Sequence, residues 1–284
     1  MVIMLTVLES LQLSTEYLEK KGIDSARMNA ELLLADILNC GRLDLYLRFE
    51  QPLTDEEKSI YRDFISRRAK NEPLQYIIGN VEFFGMHFIV NENVLIPRQE
   101  TEILVEKIIE NNKNDSLRIL DIGTGSGCIA LSLAKNLPEC SVTAIDISRE
   151  ALKVAWKNQK HHEIENCELK QFDIMSDDVS TLGKFDMIVS NPPYVPEDDY
   201  KGLQKEIVLH EPRIALTDDA DGYKFYSRIS NIAAKLLMAG GSLYFESGDG
   251  MAEKIGDVMK DHGLKNIKYH KDYLDISRVV EGQV

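Results

Sequence analysis

The stretch Arg118-Ile119-Leu120-Asp121-Ile122-Gly123-Thr124-Gly125-Ser126-Gly127 decides how this chain is read. Its first residues are a short apolar run, which predicts a buried strand, and the residues beyond it, with Ile129, Ala130, Leu131 and Leu133 at helical spacing, predict a helix. Between the two, the glycines let the backbone turn sharply and approach a ligand where any Cβ would obstruct it. From Leu117 onward strands and helices alternate, the pattern of a parallel α/β sheet. A second strand, Val142-Thr143-Ala144-Ile145, ends at Asp146, and a third, near Cys167 to Gln171, ends at Asp173. The fourth, Phe185-Asp186-Met187-Ile188-Val189-Ser190, delivers Asn191. After a helix near Tyr223 to Leu237 comes a fifth, Ser242-Leu243-Tyr244-Phe245, and two late strands near Ile267-Lys268-Tyr269 and Ser277-Arg278-Val279-Val280 bring the sheet to seven.

Acidic residues closing the first three strands, with a glycine loop after the first, describe a nucleoside pocket. Asp146 falls 23 residues after Gly123, where a carboxylate can accept hydrogen bonds from both ribose hydroxyls. Asp173 could accept from an adenine amino group. A dinucleotide fingerprint would need its third glycine at position 128, which is Cys128, and no Gly-Lys-Ser or Gly-Lys-Thr is present to make a phosphate-cradling loop.

Chemistry in an open α/β sheet gathers at strand ends, and the fourth strand ends in Asn191-Pro192-Pro193-Tyr194. Proline fixes φ, removes an N–H and holds the preceding residue extended. Asn191 and Pro192 are therefore kept out of helix, and a side-chain oxygen and a backbone oxygen can converge on one NH2 group, which carries two donors in a plane. Tyr194 offers a flat face for a planar amide or base. A proline pair after a strand is also common loop punctuation, so the motif gains its meaning from the glycine loop and the acidic strand ends.

The first 70 or so residues read as helical. Ser25 is placed to cap a helix carrying Ala30, Leu33, Leu34, Ile37 and Leu38, with Gly41 as its stop, and Thr54-Asp55-Glu56-Glu57 is a capping box. Beyond Pro73, Val81-Glu82-Phe83-Phe84, Gly85-Met86 and His87-Phe88-Ile89-Val90 predict a hairpin, followed by a helix through Leu104, Val105, Ile108 and Ile109. Arg98, Glu100 and Glu102 at its start read as a capping and ion-pair cluster, and the polar run from Asn111 to Ser116 reads as a linker. The expected division is 1–72, 73–116 and 117–284.

With 284 residues, 44% hydrophobic and 28% charged, the chain has the composition of a globular protein with room for two domains. A net charge of -14 argues against a broad nucleic-acid face, since phosphate binding draws on Lys and Arg; Arg67-Arg68-Ala69-Lys70 is the densest basic cluster. The four cysteines form no C-x-x-C pair and the six histidines show no ligand spacing, so neither a disulfide framework nor a metal is expected. The apolar start lacks a basic n-region and runs into Glu9, unlike a signal peptide. No apolar run is long enough to span a membrane, and a cytoplasmic location is expected.

The Asp121-x-Gly123-x-Gly125-x-Gly127 loop resembles the signature of the S-adenosylmethionine-dependent methyltransferases. Pro73-Leu74-Gln75-Tyr76-Ile77-Ile78-Gly79, then Glu82-Phe83 and Gly85, then Leu95-Ile96-Pro97-Arg98-Gln99-Glu100-Thr101-Glu102, and later Glu211-Pro212-Arg213-Ile214-Ala215-Leu216, resemble the release factor glutamine methyltransferase family (PrmC, also called HemK) over nearly the whole chain. One departure is Glu246-Ser247-Gly248, where the family more usually has Ile or His in the middle. The resemblance implies a seven-stranded, mostly parallel Rossmann-like methyltransferase sheet, joined through a β-hairpin to a small N-terminal helical bundle that recognises the substrate. It implies S-adenosyl-L-methionine as methyl donor and peptide chain release factors as protein substrates, methylated on the side-chain nitrogen of the glutamine in their Gly-Gly-Gln motif. The cofactor contacts it implies are Asp121, Gly123, Thr124, Gly125, Ser126, Gly127, Asp146, Ile147, Asp173, Ile174 and Asn191. Asn191 and Pro192 are the catalytic candidates, and with Pro193 and Tyr194 they form the substrate subsite. The alternatives are a nucleic-acid amino methyltransferase, disfavoured by the acidic balance, and a cofactor-binding protein without turnover.

Overall fold

The computed structural model describes residues 5–112 and 116–284, so the first four residues of the apolar start and residues 113–115 of the expected linker lie outside it. Two compact units are formed, Met1–Gly79 with Gln204–His210, and Asn80–Leu203 with Glu211–Val284.

The smaller unit is helical: α1 (Val7–Lys20), α2 (Ala26–Ile37), a 3-10 turn at Arg42–Leu47, α3 (Asp55–Arg68) and α4 (Leu74–Ile78). Leu11, Leu18, Leu33, Leu34, Leu45 and Ile65 close its core. The capping box at α3 forms as read: Thr54 N donates to Glu57 Oε2 (2.7 Å), and Glu57 N to Thr54 Oγ1 (3.2 Å). A second box, Thr6 with Glu9, opens α1 and escaped the sequence reading. Two expectations at α2 need correction. Ser25 stands at the helix start but with φ 50°, and its side chain makes no capping bond; Asn29 Nδ2 instead donates to the carbonyls of Asp24 and Ser25 at 3.0 and 3.1 Å. The helix stops at Asn39, whose φ of 48° breaks it, before Gly41 is reached. The basic cluster is not a free patch either. Arg67 pairs with Glu72, and the buried Arg68 donates to Asn29 Oδ1 (2.7 Å) and Glu206 Oε2 (2.6 Å).

The larger unit begins with the hairpin β1 (Asn80–Phe83) and β2 (Met86–Ile89), turned through Phe84 and Gly85, both at positive φ. Then follow α5 (Gln99–Asn111), β3 (Arg118–Ile122), α6 (Cys128–Asn136), β4 (Ser141–Asp146), α7 (Arg149–His161), β5 (Cys167–Gln171) and β6 (Phe185–Ser190). After the short α8 (Glu197–Tyr200), and past α9 (Lys205–His210), which belongs to the smaller unit, come α10 (Lys224–Leu236), β7 (Leu237–Glu246), α11 (Ala252–Asp261), β8 (Lys265–Lys271) and β9 (Ser277–Gln283). The seven-stranded sheet runs β5-β4-β3-β6-β7-β9-β8. Its first five strands are parallel, and β9 pairs antiparallel with both β7 and β8. β7 starts earlier than its apolar run implied, because Leu237 already pairs with Phe185 across an irregularity.

Strand alternation sorts the core onto two faces. Ile119, Val142, Ala144, Met187 and Val189 pack with α5, α6 and the hairpin, while Leu120, Ile122, Ile145, Ile188 and Phe245 pack with α10 and α11. Strand order reverses at β3, which has β4 on one side and β6 on the other. In such sheets the crevice beyond the strand ends at this reversal receives ligands.

Asn158, fully buried in α7, ties the hairpin to the glycine loop. Its Nδ2 donates to Ser126 O (2.9 Å) and Ile89 O (3.0 Å), and its Oδ1 accepts from Ile89 N (2.7 Å). Asn158→Ala strands three backbone groups, one buried and two partly buried, and is expected to destabilise the protein by about 2–4 kcal/mol, read as a lower urea midpoint with unchanged slope.

Candidate functional site

Register places the site. Ile122 pairs with Ile145 on one side and with Ser190 on the other, so the residues just past these pairs, Gly123, Asp146 and Asn191, emerge side by side from strands roughly 4.8 Å apart. Ser190 Oγ fastens the middle of this row by donating to Ile122 O at 2.8 Å. A cavity of about 250 Å³ opens beyond it, lined by Gly123, Gly125, Asp146, Ile147, Asp173, Ile174, Asn191, Pro192 and Pro193 among others.

Each strand-end acid is held by its own loop. Asp146 Oδ2 accepts from Gly125 N (2.9 Å) and Oδ1 from Ser148 N (2.8 Å), while burial raises its pKa. A carboxylate has about four lone-pair sites, so the group keeps capacity for a ligand hydroxyl. Asp173 accepts from Met175 N (2.8 Å) and Ser176 Oγ (2.7 Å), which fixes its carboxylate at the cavity wall. The Gly123 and Thr124 N–H groups both donate to Ile145 O, at 2.9 and 3.0 Å, bending the loop back over β4.

Asp121, Thr124, Ser126 and Gly127 do not line the cavity. They lie behind it, where Asp121 is fully buried and both its carboxylate oxygens lack a hydrogen-bond partner among the described residues, as do Thr124 Oγ1 and Ser126 Oγ. Burial pushes Asp121 up to about 7, and the nearby Thr124 hydroxyl offsets only part of this. Gly127 serves packing, since at φ +84° a Cβ would stand 3.0 Å from Leu131 Cδ1 and 3.3 Å from Ala155 Cβ. At Gly125 the opposite holds: φ is +56° and the place of a Cβ is open space.

These residues fit an adenosyl sulfonium. The open ground beside Gly125 admits a ligand backbone-close, the orphaned Asp121 oxygens suit a nearby cation, Asp146 suits a ribose diol, and Ile147, 46% exposed at the cavity, offers an apolar face for a base. Among the described residues no group of three or more His, Cys, Asp and Glu could hold a metal ion.

At the fourth strand end, Asn191 Nδ2 donates to Thr101 Oγ1 at 3.3 Å. That leaves Oδ1 as the free end of the amide. Tyr194 is placed apart from its three neighbours in the motif. Its ring backs onto Gly248, where a Cβ would come within 3.0 Å of it, and burial pushes its hydroxyl up to about 12.

The opposite wall includes Leu95, Pro212, Ile214 and Ala215. Two distant segments meet there through Glu211, whose Oε1 pairs with Arg98 (2.5 Å) and whose Oε2 accepts from Ile96 N (3.2 Å). The Arg98 and Glu211 side chains thus brace the wall without lining it. Arg213 faces outward, paired with Asp219 and stacked on Tyr200 at 4.4 Å. Glu102 Oε1 accepts from Phe84 N (2.9 Å) and so steadies the hairpin turn.

A family model described as the PrmC N-terminal domain matches residues 9–79, and one described as the methyltransferase small domain matches residues 98–247. The release factor glutamine methyltransferase of Geobacter sulfurreducens is 40% identical over 281 residues, covering 98% of this chain and 97% of that protein. That of Chlorobaculum tepidum is 43% identical over 258 residues, 87% of each chain. Among solved structures, a methyltransferase from Pyrococcus furiosus has a TM-score of 0.52 at 19% identity, covering 71% of this chain and 90% of that one, a likeness of fold.

The unpartnered Asp121 carries a testable cost. Its folded pKa of about 7 exceeds its ordinary 3.8, so the folded state holds a proton that the unfolded state releases, and stability falls as pH rises through that window. Asp121→Asn is therefore expected to raise the melting temperature at pH 8. The gain should shrink as pH drops towards 4, in thermal melts taken across that range.

Proposed function

The chain belongs to the release factor glutamine methyltransferase family, and from that premise we propose that it methylates the side-chain amide nitrogen of the glutamine in the Gly-Gly-Gln motif of peptide chain release factors. S-adenosyl-L-methionine is the methyl donor. The observation that carries this reading is the shared cavity: Asn191 and Pro192 line the same space as Gly125 and Asp146, so an acceptor pair and a nucleoside subsite open onto one another.

When bound, S-adenosylmethionine supplies an electrophilic methyl group on a positively charged sulfur. Gly125, Asp146 and Asp173 would hold its nucleoside, with Asp121 behind them balancing the cation. The remaining task falls to Asn191 and Pro192. An amide nitrogen is a weak nucleophile because its lone pair is delocalised into the carbonyl. Asn191 Oδ1 and the Pro192 carbonyl can each accept one N–H of the glutamine NH2 group, which fixes the amide plane and aims the nitrogen lone pair at the methyl carbon. The two fixed oxygen dipoles of Asn191 and Pro192 would favour the positive charge that the amide nitrogen takes on during methylation. The surplus proton then leaves to water. Alignment of this kind supplies on the order of 7–11 kcal/mol, so no strong base is required.

The N-terminal helices are assigned recognition of the release factor. Their 3-10 turn exposes Leu43 (73%), Tyr46 (47%) and Leu47 (88%), an apolar group on one short element. The four cysteines stand as thiols outside any disulfide, in accord with work in the reducing cytoplasm, and among the described residues no helix is long and apolar enough to cross a membrane.

Labelled-methyl transfer to intact release factor tests the reading; incorporation into nucleic acid but not release factor would overturn it. Asn191→Ala is expected to lower kcat on the order of 100-fold or more, with S-adenosylmethionine affinity nearly retained in calorimetry. Leu47→Ser should instead raise KM for release factor several-fold and leave cofactor affinity alone.

A further inference from the structure

Asn191 can serve as an acceptor only if its amide is the right way round. With NH2 turned into the cleft, two donors would face the two donors of a substrate amide. Its partner Thr101 does not settle this alone, because a hydroxyl can accept from Nδ2 or donate to Oδ1.

Beside Thr101 stands Glu246. Ser190 pairs with Phe245, so Asn191 and Glu246 leave neighbouring strands at the same level. Thr101 is 1% exposed and Glu246 3% exposed, and Glu246 Oε2 has no hydrogen-bond partner among the described residues. Among the influences on the Glu246 carboxyl, the Thr101 hydroxyl is the largest that favours its charged form. A carboxylate only accepts, so the single Thr101 proton is the one that a charged Glu246 can draw. The Thr101 oxygen is then left with lone pairs alone for Asn191, and these can meet only the Nδ2 end.

We propose that Glu246, acting through Thr101 as a positioning residue, sets which end of the Asn191 amide faces the cleft and holds Oδ1 towards the substrate nitrogen. The proposal rests on reading the site as an amide methyltransferase, and it adds that the orientation is under proton control. If Glu246 gains a proton, its O–H can donate to Thr101 Oγ1; the Thr101 proton is then free for Asn191 Oδ1, and the amide turns over. The surrounding groups bear on that proton: Glu100 opposes the charged form, Arg278 and Arg98 support it, and Tyr194, Tyr226 and Cys128 feel the Glu246 charge. Burial dominates, pushing Glu246 up to about 7. Methyl transfer should therefore weaken as pH falls from 8 to 6.

Full-length wild type, Thr101→Val, Thr101→Ser and Glu246→Gln are compared by labelled-methyl transfer to release factor, by calorimetry with S-adenosylmethionine, and by NMR of the Asn191 side-chain NH2 in protein without cofactor. Thr101→Val should lose on the order of 10- to 100-fold in kcat with KM and cofactor affinity within about twofold, and Thr101→Ser should recover most of it. The wild-type Asn191 NH2 signals should shift in one step near neutral pH, a step missing from Glu246→Gln and Thr101→Val. Equal losses in the Val and Ser variants, or a step that persists in Glu246→Gln, would overturn the proposal. A wild type that transfers nothing to release factor would sink the activity reading, and the NMR titration would then decide the orientation claim on its own.

Discussion

The register at β3 is the constraint on which the site depends. Ile122 faces Ile145 and Ser190 at once, and because paired residues in a sheet cannot slip by one without turning every side chain to the other face, the buried alternation of Ile119, Leu120 and Ile122 locks this alignment. Asp146 and Asn191 are two exits from one row of backbone pairs. The separation between Asp146 and Asn191 is set by sheet geometry, and no loop has to hold it. Loops add detail only after that: Asp146 is steadied by Gly125, and Glu211 pins the far wall through Arg98 and Ile96.

Keeping acids at those strand ends works against stability. Asp121 and Glu246 are both buried with unpartnered oxygens and both pushed up to about 7, an arrangement that a protein selected for stability alone would replace with apolar or amide side chains. Their locations give the reason. Asp121 closes β3 behind the glycine loop, and Glu246 closes β7 next to Asn191. A cation bound near the first would restore its missing partner, whereas at the second a proton is gained or lost in a dry place, where it has the greatest leverage on a neighbouring dipole.

How much could be read in advance depended on how local the cause was. The alternation of short strand-like runs with helical stretches announced all seven strands, the Thr54 capping box was legible because four adjacent residues define it, and the glycine spacing located the loop. Failures came where a partner sits far off in sequence. Asn158 reads as one polar residue on an amphipathic helix, and nothing nearby tells that it will bond Ser126 and Ile89. Thr101 reads as part of a helix start, and its meeting with Asn191, 90 positions on, exists only after α5 packs on the sheet. The stop of α2 failed for a different reason: Asn39 could take the left-handed conformation that glycine was expected to supply.

Under the proposed function, a neutral acceptor pair suits this acidic pocket better than a base would. A carboxylate placed to deprotonate an amide would meet a group far too weakly acidic to yield its proton before attack, while adding negative charge beside Asp121, Asp146 and Glu246. Asn191 and Pro192 present oxygen dipoles that carry no net charge, so they can sit against the acidic pocket without raising its pKa values further. Proline contributes by subtraction: lacking an N–H, Pro192 and Pro193 offer no backbone donor to compete for Asn191 Oδ1. On the proposed reading, the pair would favour a ligand that brings two donors in one plane, as a primary amide does and a carboxylate side chain of the same length does not.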